Sequence, residues 1–440
     1  MRERFETPIE VAEALARYAP PNAKRILDPA VGNGRLLVPI LARTRGSTQV
    51  VAVDVDARAI AAAREALKGF SCDVRFVTSD FAKWVCRQKR RASPETGLYD
   101  CVVMNPPFGG KKEALRRVSF AHEGLHLPTF VPLEVEFLLL GMSLLRDGGR
   151  LLAVLPSTFA ASSSWAGVRR FMLSSGRMEV VHELPPFTFA GVESRIYLTV
   201  FEKGEKTSRV SLLNHKLHSP DRLVMPVTKL GDQHRLDFHF HAANNQVRQT
   251  LAASDRGWCP LESVATIIRG AEPSPRGPRH AVHTCDYRDG FWQRRRRHKK
   301  CAGTTSVRHY DLLMARVGRN CSKSLGFCSS LNGIGVSDCL LIIRAKRASV
   351  AHQLLFALRT LSATGQLSEL LVRGTGAHYV AATDVKACLV PIKLAKLFPR
   401  EYKRFLRAVK SRDFSTMQRV ERLVAQAAFT STKVLPLRNP

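Results

Sequence analysis

The chain reads as a doubly wound α/β domain followed by a second domain of mixed α+β character, and three observations predict it. From Arg25 to about Pro156, short apolar runs alternate with amphipathic helical ones, the pattern of a parallel sheet covered by helices. A turn carrying two glycines follows the first apolar run, where such sheets bring a helix start up to a ligand. The 440 residues, 45% of them hydrophobic, exceed one ordinary core and fill two.

Taken in order, KRILDPAVGNG supplies a strand, the glycine turn and a helix beginning near Arg35. QVVAVDVDARAIAAAREAL repeats the unit, with a strand over Val50 to Val53, acidic residues at its end and a helix whose Ala-rich face packs inward. A third strand is expected near Val74 to Val77, and LYDCVVMNPPF carries a fourth. The helix in EVEFLLLGMSLL should end at Asp147-Gly148-Gly149, with glycine in the position that a C-cap favours. RLLAVLP is the fifth strand. A helix is expected over Ser162 to Leu173, and then EVVHELP and RIYLTVFEK form an antiparallel hairpin that closes the sheet. These elements make residues 1–204 one domain.

Residues 205–235 lose periodicity and gain Pro, Asp and His, which predicts a linker. A second domain is expected over 236–391, interrupted by the irregular loop AEPSPRGPRHAVHTCDYRDGFWQRRRRHKK. The tail, 392–440, reads as two basic amphipathic helices broken near Ser411 to Ser415.

Lys and Arg total 68 against 37 Asp and Glu, a net charge of +31. From Glu205 onward there are about 40 basic and 16 acidic residues, a net of about +24, leaving roughly +7 for the first half. Such a second half attracts a polyanion, of which nucleic acid is the commonest. MRERFETP has no apolar core of signal-peptide length, and no window approaches about 18 apolar residues, so a cytoplasmic, nucleoid-associated protein without a membrane partner is expected. The ten cysteines form no CxxC pair, which predicts reduced thiols. His280, His283, Cys285, His298 and Cys301 are of the types that gather a zinc ion, but a loop crowded with arginine collects such residues by chance, and no metal is expected.

The chemistry concentrates in four places. In DPAVGNG, Gly32 and Gly34 let a ligand approach backbone N–H groups, although GxG is shorter than GxGxxG and a plain turn remains the alternative. Asp54, about 20 residues further on, stands where a carboxylate accepts from ribose hydroxyls. Asp80 could accept from an adenine amine and Phe81 could stack on the ring, the alternative for Asp80 being a helix N-cap. In NPPF, the Asn105 side-chain oxygen and the Pro106 carbonyl are two acceptors held stiff by proline. Aimed at the two N–H bonds of an exocyclic amine, they draw its lone pair out of the ring plane. Phe108 then stacks on the base. The plain alternative is a βα turn. Glu401-Tyr402-Lys403 is a nuclease-like ExK triplet, but it reads as a basic helix face.

The order FETP, LDPAVGNG, VAVDVD, SDF, NPPF, LLRDGGRLLAVLP resembles the gamma-class, TaqI-type N6-adenine DNA methyltransferases of restriction-modification systems, over about the first 200 residues. The resemblance implies a Rossmann-like methyltransferase sheet and S-adenosylmethionine as methyl donor. It implies that Thr7 and Pro8 lie over the cofactor, that Asp28, Ala30 and Gly32 form its glycine-turn motif, and that Asp54, Asp80 and Phe81 bind it. The target base falls to Asn105, Pro106, Pro107 and Phe108, with a second sandwiching aromatic at Phe189 and Phe187 as its rival.

Asp311 to Pro391 resembles, more loosely, the target-recognition domains of type I specificity subunits. That implies double-stranded DNA as partner and a cleft between the domains for an extruded base. Trp292 is the candidate wedge, and Arg294, Arg295, Arg296, Arg297, Lys299 and Lys300 are candidate phosphate or groove ligands, a solvated loop being the alternative. The function expected is adenine-N6 methylation of DNA, alongside a cognate nuclease or defence-complex subunit. Cytosine-N4 methylation, a protein or RNA methyltransferase with the same motif, and a non-catalytic specificity subunit are the rivals.

Overall fold

Runs that are apolar on both sides of the strand belong in parallel sheets covered on both faces, and in the first half they assemble one nine-stranded sheet. Its strands are β1 (Arg25–Asp28), β2 (Gln49–Asp54), β3 (Asp73–Thr78), β4 (Tyr99–Met104), β5 (Leu145–Pro156), β6 (Gly176–Glu183), β7 (Ile196–Lys203), β8 (Arg209–Leu213) and β9 (Arg222–Pro226). The computed structural model describes residues 6–429 other than 92–97, 109–114, 119–120, 123–124, 127–129, 186, 191–194, 232–233, 253–256, 272–280, 289, 296–297, 299–304, 319 and 374–377.

The strand order is β9-β8-β6-β7-β5-β4-β1-β2-β3. β1 to β5 run parallel, while β7 is antiparallel to both β5 and β6. Side chains alternate between two cores, as a period of two requires. Ile26, Val50, Ala52, Cys101, Val103 and Leu152 face one, with α1 (Ile9–Ala16), α2 (Leu37–Leu41) and α3 (Ala57–Ala66). Leu27, Val53, Val102, Met104 and Leu151 face the other, with α4 (Phe81–Arg91), α5 (Leu133–Ser143) and α6 (Ala166–Ser175).

Three expectations change here. α5 stops at Ser143 rather than at the glycines, because the Tyr99 N–H takes the Leu144 carbonyl (2.9 Å) and draws the following residues into β5. The helix expected over Ser162 to Leu173 begins later, at Ala166, after a short 3₁₀ turn over Ser163–Trp165. The region expected as a linker contains β8 and β9: β8 pairs in parallel with β6, and β9 folds back on β8. The compact units accordingly divide between Phe238 and His239, not across 205–235.

The second unit is mixed α+β. Its four-stranded antiparallel sheet contains β10 (Ala265–Arg269), β11 (Leu312–Ala315), β12 (Leu325–Phe327) and β13 (Leu340–Ala345), in the order β10-β13-β11-β12. α7 (Ala348–Ala363) brings Leu354, Leu355, Phe356 and Leu361 to the same core. The two helices expected over 392–440 form and pack into this same core, so the second unit runs on past Pro391. α8 (Pro399–Ser411) and α9 (Phe414–Phe429) contribute Phe405, Ala408, Met417, Val420 and Val424 to it. Arg359 on α7 and Glu421 on α9 are both buried and paired, and Arg359 Nη1 also donates to the Leu325 carbonyl (2.8 Å). Among the described residues, no helix is long and apolar enough to cross a membrane.

Candidate active site

The strand order turns back between β1 and β4, and open α/β sheets bind ligands outside the carboxyl ends of strands at such a point. Asp28 ends β1, Asp54 ends β2 and Asn105 follows β4, so the sheet brings three of the predicted residues to one edge. The turn after β1 is tied to the end of β2: the Val31 N–H donates to the Val53 carbonyl (2.9 Å) and the Gly32 N–H to Asp54 Oδ2 (3.0 Å). Gly32 (φ 55°) and Gly34 (φ 82°) take left-handed conformations. A Cβ at Gly34 would reach Ala63 Cα at 3.4 Å, so that glycine lets the turn pack on α3. A Cβ at Gly32 would meet only the Ala30 carbonyl, at 4.0 Å, which leaves open space over the turn.

Asp28 is buried, and its Oδ1 accepts from the Ala30 N–H at 3.0 Å. Its Oδ2 has no hydrogen-bond partner among the described residues. Burial, opposed by the Ala30 N–H and assisted by the charge of Asp54, pushes this carboxyl up to about 8. An orphaned acceptor of this kind suits a ligand with a donor or a positive charge.

Asn105 Nδ2 donates to Thr7 Oγ1 at 3.0 Å, joining residues 98 positions apart. Thr7 is buried, and Pro8 leads directly into α1. Held through its nitrogen in this way, the Asn105 carboxamide keeps its oxygen as the acceptor end. Pro106 is buried, Pro107 is half-buried, and Phe108 is half-buried against the core beneath.

Asp80 Oδ1 accepts from the Lys83 N–H (3.0 Å) and so caps α4, a bond that uses one of its two carboxylate oxygens. The aromatic expectations are corrected. Phe81 is 2% exposed, with Phe137 and Trp84 at ring-centroid distances of 5.0 and 6.1 Å, so its ring belongs to the core and is not offered for stacking. Phe189 is 1% exposed in the core, whereas its rival Phe187 is 66% exposed on a backbone with φ 64°. Chain counting cannot tell two aromatics apart when they are two residues apart in a turn; burial can.

In the second unit Trp292 is a core residue, its Nε1 donating to the Leu313 carbonyl (3.0 Å), and it is no wedge. Arg295 Nε donates to the buried Asp286 (2.9 Å), and His298 Nε2 lies 3.1 Å from the same carboxylate. Arg294 is exposed, while Arg296, Arg297, Lys299 and Lys300 lie outside the described residues. Of the candidate zinc ligands, His280 and Cys301 also lie outside them, and no group of metal-holding residues gathers among those described.

Residues 11–125 match the family model described as "Methyltransferase small domain". The Type II methyltransferase M.TthHB8I of Thermus thermophilus is 27% identical over 190 residues, 41% of this chain and 40% of that protein. A tRNA1(Val) (adenine(37)-N6)-methyltransferase of Klebsiella pneumoniae is 35% identical over 97 residues, 21% of this chain and 37% of that protein. The type IIG restriction endonuclease BpuSI aligns in structure with a TM-score of 0.46 and 13% identity, over 96% of this chain and 66% of that one. The chain spans about two fifths of the length of the curated relatives it matches first. The first unit has the Rossmann-like fold of S-adenosylmethionine-dependent methyltransferases, and S-adenosylmethionine is the cofactor that goes with it.

Proposed function

We propose that this chain is a DNA methyltransferase of the restriction-modification kind, acting on the N6 amine of adenine. The observation that carries the reading is the Thr7–Asn105 hydrogen bond, which joins the N-terminal segment to NPPF beside the Asp28, Gly32 and Asp54 turn. The M.TthHB8I likeness supports DNA as substrate, and the adenine-N6 relative supports the base. The basic second unit supports a polyanionic one.

Bound S-adenosylmethionine supplies an electrophilic methyl group on a sulfonium sulfur. The orphaned Asp28 Oδ2 and the open space at Gly32 fit the cationic amino-acid part of that molecule and its close approach. Asp54 would take ribose hydroxyls and Asp80 the adenine amine, while Thr7 and Pro8 would lie over the donor. At the target base, Asn105 Oδ1 and the Pro106 carbonyl accept from the two N–H bonds, which raises the nucleophilicity of the nitrogen. No side chain need remove a proton before transfer, so the catalytic work is positioning and dipole alignment. Phe108 and, on its exposure, Phe187 would hold the extruded ring.

Incubation with labelled donor and DNA from a methylation-free host, followed by digestion to nucleosides, tests the reading. Label is expected in N6-methyladenine. Label in N4-methylcytosine would move the target base, and label confined to RNA would sink the DNA assignment in favour of a tRNA-type substrate. A cleaving or specificity subunit is the partner this function implies.

A further inference from the structure

We infer that the exposed face of α8 is the surface by which the second unit holds the phosphate backbone of duplex DNA; the inference rests on the DNA reading above. α8 carries Arg400, Lys403, Arg404, Arg407 and Lys410, all of them exposed. Steps of three and four residues align Arg400, Lys403, Arg407 and Lys410 along one side of the helix. The opposite side is already used, with Phe405 and Ala408 buried and Tyr402, Leu406 and Val409 packed on the core. Among the described residues none of the five cations is paired with a carboxylate.

Like charges three and four residues apart repel along a helix, and this row keeps them together with a single acid, Glu401, half-buried in the first turn. A polyanion relieves that repulsion. From Arg400 to Lys410 the helix rises about 15 Å, long enough for its cations to reach several phosphates of a duplex. An anionic membrane would need an apolar face beside the cations, and that face of α8 lies in the core. Of the described members of the loop expected to bind DNA, Trp292 is buried in the core and Arg295 is engaged in an ion pair with Asp286. The row on α8 stands in its place.

The test is a salt titration of duplex binding by the full chain, read by fluorescence anisotropy. The variant Arg400→Gln/Lys403→Gln/Arg407→Gln/Lys410→Gln should bind about 10-fold or more weakly at low salt, with a slope of log Kd against log salt shallower by about 2 to 4. Arg400→Gln/Lys403→Gln alone should give about half that change, so a folding failure of the fourfold variant leaves the measurement intact. A control, Arg288→Gln/Lys346→Gln/Arg347→Gln/Lys386→Gln, removes the same net charge from exposed positions elsewhere in the unit and should change the slope little. Equal slopes for wild type and stripe variant, or an equal loss in the control, overturn the inference. So does stripe-dependent binding to phosphatidylserine vesicles with DNA binding unchanged. If the wild type methylates DNA while the stripe variant binds it normally, only this inference fails; a wild type that neither binds nor methylates duplex removes the functional reading too.

Discussion

Asp28 has one carboxylate oxygen on the Ala30 N–H and the other unbonded, with its pKa pushed up to about 8 from the 3.8 of an ordinary aspartate. The sign follows from linkage: a raised native pKa favours the protonated form, so ionisation opposes folding. The cost is absent below about pH 4, grows as pH rises toward about 8, and is constant above it. Asp28→Asn removes it. The variant should melt at least about 4 °C higher than wild type at pH 8 and at the same temperature near pH 4, while S-adenosylmethionine binding, read by calorimetry, weakens by about 10- to 100-fold. Equal melting at pH 8 would show that the carboxylate is not strained. The Thr7–Asn105 bond makes a different claim, about positioning. Thr7→Val should lower kcat by about 10- to 100-fold, with Thr7→Ser restoring it. Asn105→Ala should abolish transfer yet bind cofactor normally; a variant that still turned over would refute the acceptor role.

The pairing of α7 with α9 through Arg359 and Glu421 gives an element-scale expectation. Glu421→Ala strands a buried guanidinium and should cost about 3–5 kcal/mol in urea denaturation, whereas Arg359→Met with Glu421→Leu should be nearly neutral. An unmoved transition in Glu421→Ala would mean that water reaches the pair. This same contact marks where sequence reading stopped. β1, β2, β4 and β5 were legible because strands buried on both faces are continuous apolar runs, and NPPF was legible because two prolines leave few conformations for the residue before them. β8 and β9 were not, since their apolar runs are only a few residues long and are set among the Asn, His, Lys, Ser and Asp of the segments that join them, which breaks the strand pattern. α8 and α9 were legible as amphipathic helices, but periodicity shows that a helix has an apolar face and not which core receives it. The site showed the same division. Motif order marked Asp28, Asp54 and Asn105, whereas the burial of Phe81, Phe189 and Trp292 depends on neighbours far away in the chain.

At the scale of the whole molecule, cofactor motifs and charge fall on opposite sides of the Phe238–His239 division. Thr7 through Phe108 all lie in the first unit, while His239–Pro440 holds 34 Lys and Arg against 12 Asp and Glu. Each unit also has a core of its own, the requirement for a domain that folds alone. Cutting the chain at that division should therefore separate two activities. The fragment 1–238 should bind S-adenosylmethionine within about threefold of the full chain and should hold DNA weakly. The fragment 239–440 should bind duplex with most of the full chain's salt dependence, because the slope counts phosphate contacts and not net charge. Far-UV circular dichroism and urea melts establish that each fragment is folded, calorimetry reads the cofactor, and anisotropy across a salt series reads the DNA. A folded 1–238 whose cofactor affinity falls more than about tenfold would mean that the second unit helps to build the cofactor site. A folded 239–440 with a flat salt response would move the phosphate contacts into the first unit, and with them the reason for the second unit's charge.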